Sequence, residues 1–492
     1  MLIKRFFLGL IIFLILTFIL SAAGHSGADI EVQLDRVFND PSFYRAIWGI
    51  KIVSLDTGEV IYEKNSHKLF IPASNMKILT AAAALQVYGE DYVFRTPVTT
   101  DGKVFGGVLK GDLIVVGRGD PSLGARFTGN NRSNAHSGDP WAVFSGWAEN
   151  LRKLGIKKIE GDLIGNDQFF EQVNFGDGWS WDDMTYGYSA GFGALQFNET
   201  SAYIEIRPGK DLGSLAEARL IPRLESMSVD SALQTVPPEC ETDVRISRDG
   251  RRFLLSGQVA SGTGIFYRTV ALPNPTTYFL DMLRETLEKE GIRVTGRTVD
   301  SDDLEVSTCS GENTLFTHTS PPLKDVLTVL LEISQNQYAE SLFRLLDKKE
   351  QGKGDEGAAK TMKSLLSSMG VPSDAYEIGD GSGLSRGNLL SPDTIVRVLQ
   401  YMYRHSNGQQ FMEMLPKSGV KGTIKGRMTG TRASEKVFAK TGTLSWVRAL
   451  SGYLETEKGE ILAFSMLVNN YNQPRQSAEY LQDQALEILV GY

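Results

Sequence analysis

Three short motifs, set far apart, lie in one order along this chain: Ser74-Asn-Met-Lys77, Ser334-Gln-Asn336 and Lys440-Thr441-Gly442-Thr443. Between them they supply a serine nucleophile, two lysine amines, a second serine and an amide. That is the equipment of a serine acyl-transfer site whose base is a lysine rather than a histidine. Such groups act only where they converge, yet Ser74 and Ser334 are 260 residues apart. A minimal enzyme of this chemistry needs nothing so long. The chain must therefore lodge at least one domain inside its catalytic domain.

Ser-x-x-Lys occurs twice, at Ser74–Lys77 and at Ser418–Lys421, and context separates the copies. Ser74 follows Ile71-Pro72-Ala73 and opens a run of good helix formers from Met76 to Val87, closed by Gly89. A serine at a helix N-terminus has backbone N–H groups and the positive end of the dipole beside its oxygen. Residues three apart share a helical face, so Lys77 can reach Ser74. The plainer account of Ser74 is an N-cap, and the other two motifs argue against it. Ser418 lies in Lys417-Ser-Gly-Val-Lys-Gly422, a glycine-flanked stretch unsuited to that geometry.

The N-terminus carries Lys4-Arg5, an apolar run from Phe6 to Leu20 and then Ser21-Ala22-Ala23-Gly24. This is the pattern of a secretory signal over residues 1–23, cut after Ala23. Phe6–Ala23 is 18 residues long, near the shortest length that crosses a bilayer, so an uncleaved anchor is the alternative. Either way the body is exported, to the periplasm or the outer cell surface. Without residues 1–23 the chain keeps 49 basic and 59 acidic residues, a charge of −10 that gives no support for nucleic-acid binding. Cys240 and Cys309 are the only cysteines, and export permits a disulfide without requiring one. The five histidines, His25, His67, His136, His318 and His405, are not spaced as helical metal ligands. No metal and no cofactor is expected.

Ile47–Val53 and Glu59–Glu63, joined through Asp56-Thr-Gly58, predict a hairpin leading into the Ser74 helix. Ala449–Leu454 and Glu460–Val468 predict a second hairpin after the Lys440 strand, and Ala478–Val490 a closing helix. Two terminal segments rich in antiparallel strands can share one sheet with helices packed on it. A capping residue, a proline and a later glycine mark helices at Asp139-Pro140 to Gly155, Asn274-Pro275 to Gly291, and from Ser391-Pro392 onward. A further helix is expected from Leu323 to about Lys348, broken near Ser334-Gln-Asn336. Between about 90 and 300 the pattern turns to short strands and glycine turns. There Gly-Asp-Leu-Ile appears at 111–114 and at 161–164, which reads as a repeated strand unit in an inserted module.

The ordered trio is the signature of penicillin-recognising enzymes. With Ile71-Pro-Ala-Ser-Asn-Met-Lys77, Gly119-Asp-Pro-Ser122, Asp380-Gly-Ser-Gly-Leu-Ser-Arg386 and Gly422-Thr-Ile424, it resembles the class C low-molecular-mass penicillin-binding proteins. These are the D-alanyl-D-alanine carboxypeptidases/endopeptidases, or S13 peptidases, and the likeness covers nearly all the chain after the signal. It implies an α/β (α+β) fold: a penicillin-binding-protein/β-lactamase-like catalytic domain with an antiparallel sheet flanked by helices, plus nested β-rich domains. The catalytic domain would comprise 24–90 and 300–492, with inserted domains II and III over 91–299. The resemblance implies cleavage of the D-Ala-D-Ala bond of peptidoglycan stem peptides, and of D-Ala cross-links, through an acyl-enzyme at Ser74. It implies β-lactam antibiotics as covalent ligands and a role in cell-wall remodelling; a peripheral membrane contact is left open. Lys77 would take the serine proton, its pKa lowered by burial beside Lys440. Ser334 would relay a proton to the leaving amine, and Asn336 would hold the substrate amide. Backbone N–H groups of Ser74 and Thr443 would form the oxyanion hole, with Lys440, Thr441, Gly442 and Thr443 on the substrate carboxylate. Asp167 and Arg386 would meet the amine and carboxylate of the stem's third residue.

Three rival readings stand beside this one. Gly187-Tyr-Ser189-Ala-Gly191 fits the nucleophile elbow of α/β-hydrolases, but no strand precedes it and no obvious helix follows. A serine β-lactamase would share the trio, though not the long insertion. A murein-binding protein with an inactive site would have no need of Ser74, Lys77 and Lys440 together. Trp179, Trp181, Tyr186 and Tyr188 are read as packing of an inserted domain in preference to a glycan platform.

Overall fold

The structure, a computed structural model, describes residues 27–134, 138–170, 175–304, 313–347 and 354–492. The signal over 1–23, His25, His136, Cys309 and Lys348 lie outside the described residues. The chain forms two compact units, one of Met1–Asn75, Met369–Tyr376 and Leu389–Tyr492, the other of Met76–Ser368 and Glu377–Asn388. Among the described residues no helix is long and apolar enough to cross a membrane.

The first unit is built on one five-stranded sheet that joins the ends of the chain. Its order is Val60–Lys64, Ile47–Ser54, Ile461–Asn469, Val447–Glu455 and Val437–Leu444. Every neighbouring pair is antiparallel. Both expected hairpins are therefore present, and Ile47–Ser54 pairs with Ile461–Asn469 from end to end. Side chains alternate across the pleat. Leu450, Leu454, Leu462, Phe464 and Met466 join a core with Ile30 and Leu34 of the Gly27–Phe38 helix and Leu481 and Leu486 of the Arg475–Val490 helix. Tyr453 points to the other face, where its hydroxyl donates to the Leu399 carbonyl of the Pro392–Arg404 helix at 2.8 Å. That helix starts where its sequence says, with Ser391 Oγ accepting from the Thr394 N–H at 3.1 Å. The Lys440-Thr-Gly motif lies in the edge strand, Val437–Leu444.

The second unit combines short-stranded sheets with buried helices. The two Gly-Asp-Leu-Ile segments become the parallel pair Leu113–Val116 and Leu163–Asn166, with Leu113 opposite Leu163. Thr298–Asp300 adds a third parallel strand. Asp side chains stitch the repeats together: Asp112 Oδ1 accepts from the Asp162 N–H and Asp162 Oδ1 from the Arg297 N–H, each at 2.7 Å. The helix at Pro275–Lys289 is capped by Asn274, which accepts from the Thr277 N–H. Its neighbour starts later than Asp139-Pro140 suggests, at Ala142, because Asp139 Oδ1 is engaged by the Trp141 N–H in a turn ahead of the helix. Phe144 packs against Trp147, Phe197 and Phe279 between these helices.

Four helices of this unit concern the site. Met76–Tyr88 is buried continuously from Met76 to Leu85, and its four consecutive alanines, Ala81–Ala84, let neighbours approach on every side. The helix expected from Leu323 to Lys348 is two, Leu323–Glu332 and Asn336–Asp347. At the break Ser334 takes φ +64°, a left-handed conformation that costs a non-glycine residue about 1 kcal/mol or more. The fourth is Gly354–Ser368.

Candidate active site

In the first unit, Ser74 sits in a 3₁₀ turn, Ala73–Asn75, that runs directly into the Met76 helix. Ala73 carries φ +46°, which turns the chain sharply before the serine. Asn75 is fully buried and ties this turn to two strands. Its Nδ2 donates to the Lys440 carbonyl at 2.8 Å and its Oδ1 accepts from Ser451 Oγ at 2.6 Å. Gly442 completes the contact. A Cβ there would lie 2.7 Å from the Pro72 carbonyl oxygen and 3.1 Å from the Ser74 nitrogen, so only glycine allows the strand so close. Thr441 Oγ1 donates to Thr423 Oγ1 at 2.8 Å, the buried Lys440 Nζ donates to the Thr441 carbonyl, and Thr443 is exposed. Ser74, Lys440, Thr441 and Gly442 thus come together around one turn and one edge strand.

In the second unit, Lys77 and Asn336 meet. Lys77 is fully buried, and its Nζ donates to Asn336 Oδ1 at 2.5 Å and to the Ser382 carbonyl at 2.6 Å. Burial pulls its pKa down to about 7, while Asp380 and then Glu340 pull it back up. The direction and its leading cause, desolvation by burial, are the ones expected. Asn336 also donates Nδ2 to the Tyr188 carbonyl at 2.6 Å. Ser334, half-buried, stands two residues before it at the helix break.

The turn that offers the Ser382 carbonyl is organised by Asp380. This buried carboxylate accepts from Trp179 Nε1 at 2.9 Å, from the Gly383 and Ser385 N–H groups at 2.7 Å each, and from Asn388 Nδ2 at 2.7 Å. Asp380, Ser382 and Glu340 were not singled out as site residues by the sequence. The signal that could have found Glu340 is its place four residues after Asn336, on the same helical face.

Other residues have other surroundings. Asp167 accepts from Thr276 Oγ1 at 2.6 Å and from Ser301 Oγ at 3.4 Å. One carboxylate oxygen from each of Asp167, Asp300 and Asp302 lies within 4.8 Å of the others. Burial first, then Asp167 and Asp300, pushes Asp302 up to about 6. Arg386 is half-buried at the end of the Asp380 turn. Ser189 is no elbow nucleophile: it ends a 3₁₀ turn, Gly187–Ser189, is 1% exposed, and neither a strand before it nor a helix after it is present. His318 instead faces Asp120 and Trp147, and His405 stacks on Tyr401. In the second Ser-x-x-Lys copy, Ser418 Oγ donates to the Ala433 carbonyl and Lys421 to the Glu413 carbonyl.

A model of the D-Ala-D-Ala carboxypeptidase 3 (S13) family matches residues 30–488. A D-alanyl-D-alanine carboxypeptidase of Actinomadura sp. is 31% identical, the alignment covering 96% of this chain and 86% of that one. The D-alanyl-D-alanine carboxypeptidase DacB of Haemophilus influenzae is 30% identical over 85% of this chain and 84% of its own. The crystal structure of penicillin binding protein 4 (dacB) from Haemophilus influenzae superimposes with a TM-score of 0.78 at 28% identity, over 95% of this chain and 100% of that one. The same protein has been solved in complex with a β-lactam, at a TM-score of 0.73.

Asn75→Ala should cost about 1–3 kcal/mol, because it removes the Asn75 donor from the buried Lys440 carbonyl and leaves Ser451 Oγ with Ser465 Oγ in place of the Asn75 acceptor. The check is the urea midpoint at unchanged slope; an unmoved midpoint would mean that Asn75 does not tie the turn to its strands.

Proposed function

Because the chain belongs to the D-Ala-D-Ala carboxypeptidase 3 (S13) family, we propose that it is a serine DD-peptidase of peptidoglycan that forms its acyl-enzyme on Ser74. The observation that carries this reading is Lys77, a buried lysine amine held by two neutral oxygens and ready to lose its proton near neutral pH. A lysine on the surface would be charged and useless as a base.

In this reading the Ser74 hydroxyl proton moves to Lys77 Nζ as Oγ bonds the carbonyl carbon of the penultimate D-alanine. The carbonyl oxygen becomes an oxyanion held by the N–H groups of Ser74 and Thr443, each donor worth about 3 kcal/mol. Ser334 relays the proton that Lys77 took to the leaving amine as the C–N bond breaks, and water then hydrolyses the ester and restores the Ser74 hydroxyl. Asn336 spends its oxygen on Lys77 and one amide hydrogen on Tyr188. The other hydrogen remains for a substrate carbonyl. Lys440, Thr441 and Thr443 take the terminal carboxylate. Asp167 and Arg386 read the stem's third residue in the family-based reading, where Asp167 would have to exchange its Thr276 bond for the substrate amine.

A β-lactam offers the same acyl group in a strained ring. Benzylpenicillin should add one penicilloyl mass at Ser74, and intact-protein mass spectrometry without an adduct would sink the reading. Lys77→Ala should nearly abolish acylation. The acylation rate should fall tenfold per pH unit below about 7, as Lys77 gains its proton, and level off above. A flat profile from pH 5 to 8 would remove Lys77 from the role of base.

Both leaving groups fit this chemistry, free D-alanine and the side-chain amine of a neighbouring stem. Purified muropeptides should show pentapeptides trimmed and cross-linked dimers cut. Untouched dimers would reject the endopeptidase half.

The substrate requires export to the periplasm or outer cell surface, and residues 1–23 support it with Lys4-Arg5, the apolar run and Ala23. N-terminal sequencing of the fractionated mature protein should begin at Gly24. Full-length chain in the cytosol would contradict both signal and substrate.

A further inference from the structure

We propose that Glu340 is a positioning residue for the lysine base: it clamps the backbone at Gly381 and Ser382 and so keeps the Ser382 carbonyl on Lys77 Nζ. The inference rests on the reading of Lys77 as base and deepens it.

The geometry is a closed path through one helix and one turn. Asn336 and Glu340 lie four apart in the Asn336–Asp347 helix, so both project from one face. Asn336 reaches Lys77 directly, with Oδ1 2.5 Å from Nζ. Glu340 reaches it through the backbone: Oε1 accepts from the Ser382 N–H at 2.8 Å and Oε2 from the Gly381 N–H at 3.3 Å. The carbonyl of the clamped Ser382 is the second acceptor of Lys77, at 2.6 Å. Glu340 is 1% exposed and Ser382 is fully buried, so water cannot replace these bonds. The turn is pressed onto the same helix. A Cβ on Gly381 would come within 2.5 Å of Phe343 Cβ and 2.7 Å of the Ala339 carbonyl oxygen. Thr80 of the Met76–Tyr88 helix holds the Gly381 carbonyl from the other side at 2.7 Å.

A charged carboxyl here would add to the pull of Asp380, which already raises the pKa of Lys77. Burial, followed by the neighbouring Asp380, pushes Glu340 up to about 8, against the hydrogen bonds from Ser382 and the Gly381 N–H that favour its ionised form. The neutral acid can hold the turn without charging the base. A glutamine resembles that neutral acid and keeps one acceptor for Ser382; an alanine keeps none.

The experiment measures the acylation rate constant with a fluorescent penicillin for Glu340→Gln and Glu340→Ala, each made with Lys77 present and in a Lys77→Ala background. With Lys77 present, Glu340→Ala should lose about 100-fold, the scale of a misplaced catalytic group. Glu340→Gln should lose only about fivefold. In the Lys77→Ala background neither should lower the residual rate further, since residues that act through one another are not additive. The same fold-loss in both backgrounds, wild-type rates in both variants, or a glutamine as damaging as the alanine would each overturn the proposal. If Glu340→Ala does not fold, the glutamine pair carries the test alone. A wild-type protein that forms no adduct would instead bring down the serine DD-peptidase reading, and this inference with it.

Discussion

A lysine amine shut away from water sets the terms for the rest of this molecule. Removing an ammonium group from solvent costs several kcal/mol even after relaxation, so Lys77 must either be paired or surrender its proton. Here the oxygens that hold it, from Asn336 and the Ser382 carbonyl, are neutral. They orient the amine without stabilising its charge as a carboxylate would. Burial this deep is available because the helix carrying Lys77 is covered from Met76 to Leu85, and the helices Leu323–Glu332 and Asn336–Asp347 supply the cover. A long apolar helix over 323–347 could cover Lys77 but could not also present Asn336, and the left-handed Ser334 is how the chain resolves that conflict.

The Asp380 turn shows the same logic in polar form. A buried carboxylate is tolerable only when donors surround it. Two backbone N–H groups, an indole and an amide do so here, and their convergence makes the turn rigid enough to hold a carbonyl in place. In the other unit, Asn75 and Gly442 do comparable work by opposite means. One supplies hydrogen bonds and the other supplies the absence of a side chain, and together they bring the serine turn against the edge strand.

Much of this was legible in the sequence where local chemistry sufficed. Asn274 and Ser391 announce helices because an N-cap satisfies backbone donors a few residues away. The two hairpins follow from alternation about glycine turns, and the helix break from polar residues in an apolar run. Asp139 misled because the same side chain that caps a helix can close a turn before it. The third parallel strand, Thr298–Asp300, was hidden because ladder pairing belongs to the backbone, and Gly296-Arg297-Thr298-Val299 shares little with Gly-Asp-Leu-Ile beyond the glycine. The surroundings of Asp167 leave no local signal in the sequence. Its neighbours Asp300 and Asp302, and its bond to Thr276, come from segments more than a hundred residues away.

By itself the sequence determined which candidate groups are present and in what order, since serine, lysine and amide chemistry is carried by residue type and short spacing. It also determined that a hairpin forms toward each end of the chain, at Ile47–Lys64 and at Val447–Asn469. Only the tertiary structure decided which groups hold those residues in working condition. The pKa of Lys77 is a property of the water it has lost, and the aim of the Ser382 carbonyl depends on Glu340 and Asp380. Desolvation and long-range hydrogen bonds depend on residues brought close by folding, and no local pattern encodes them.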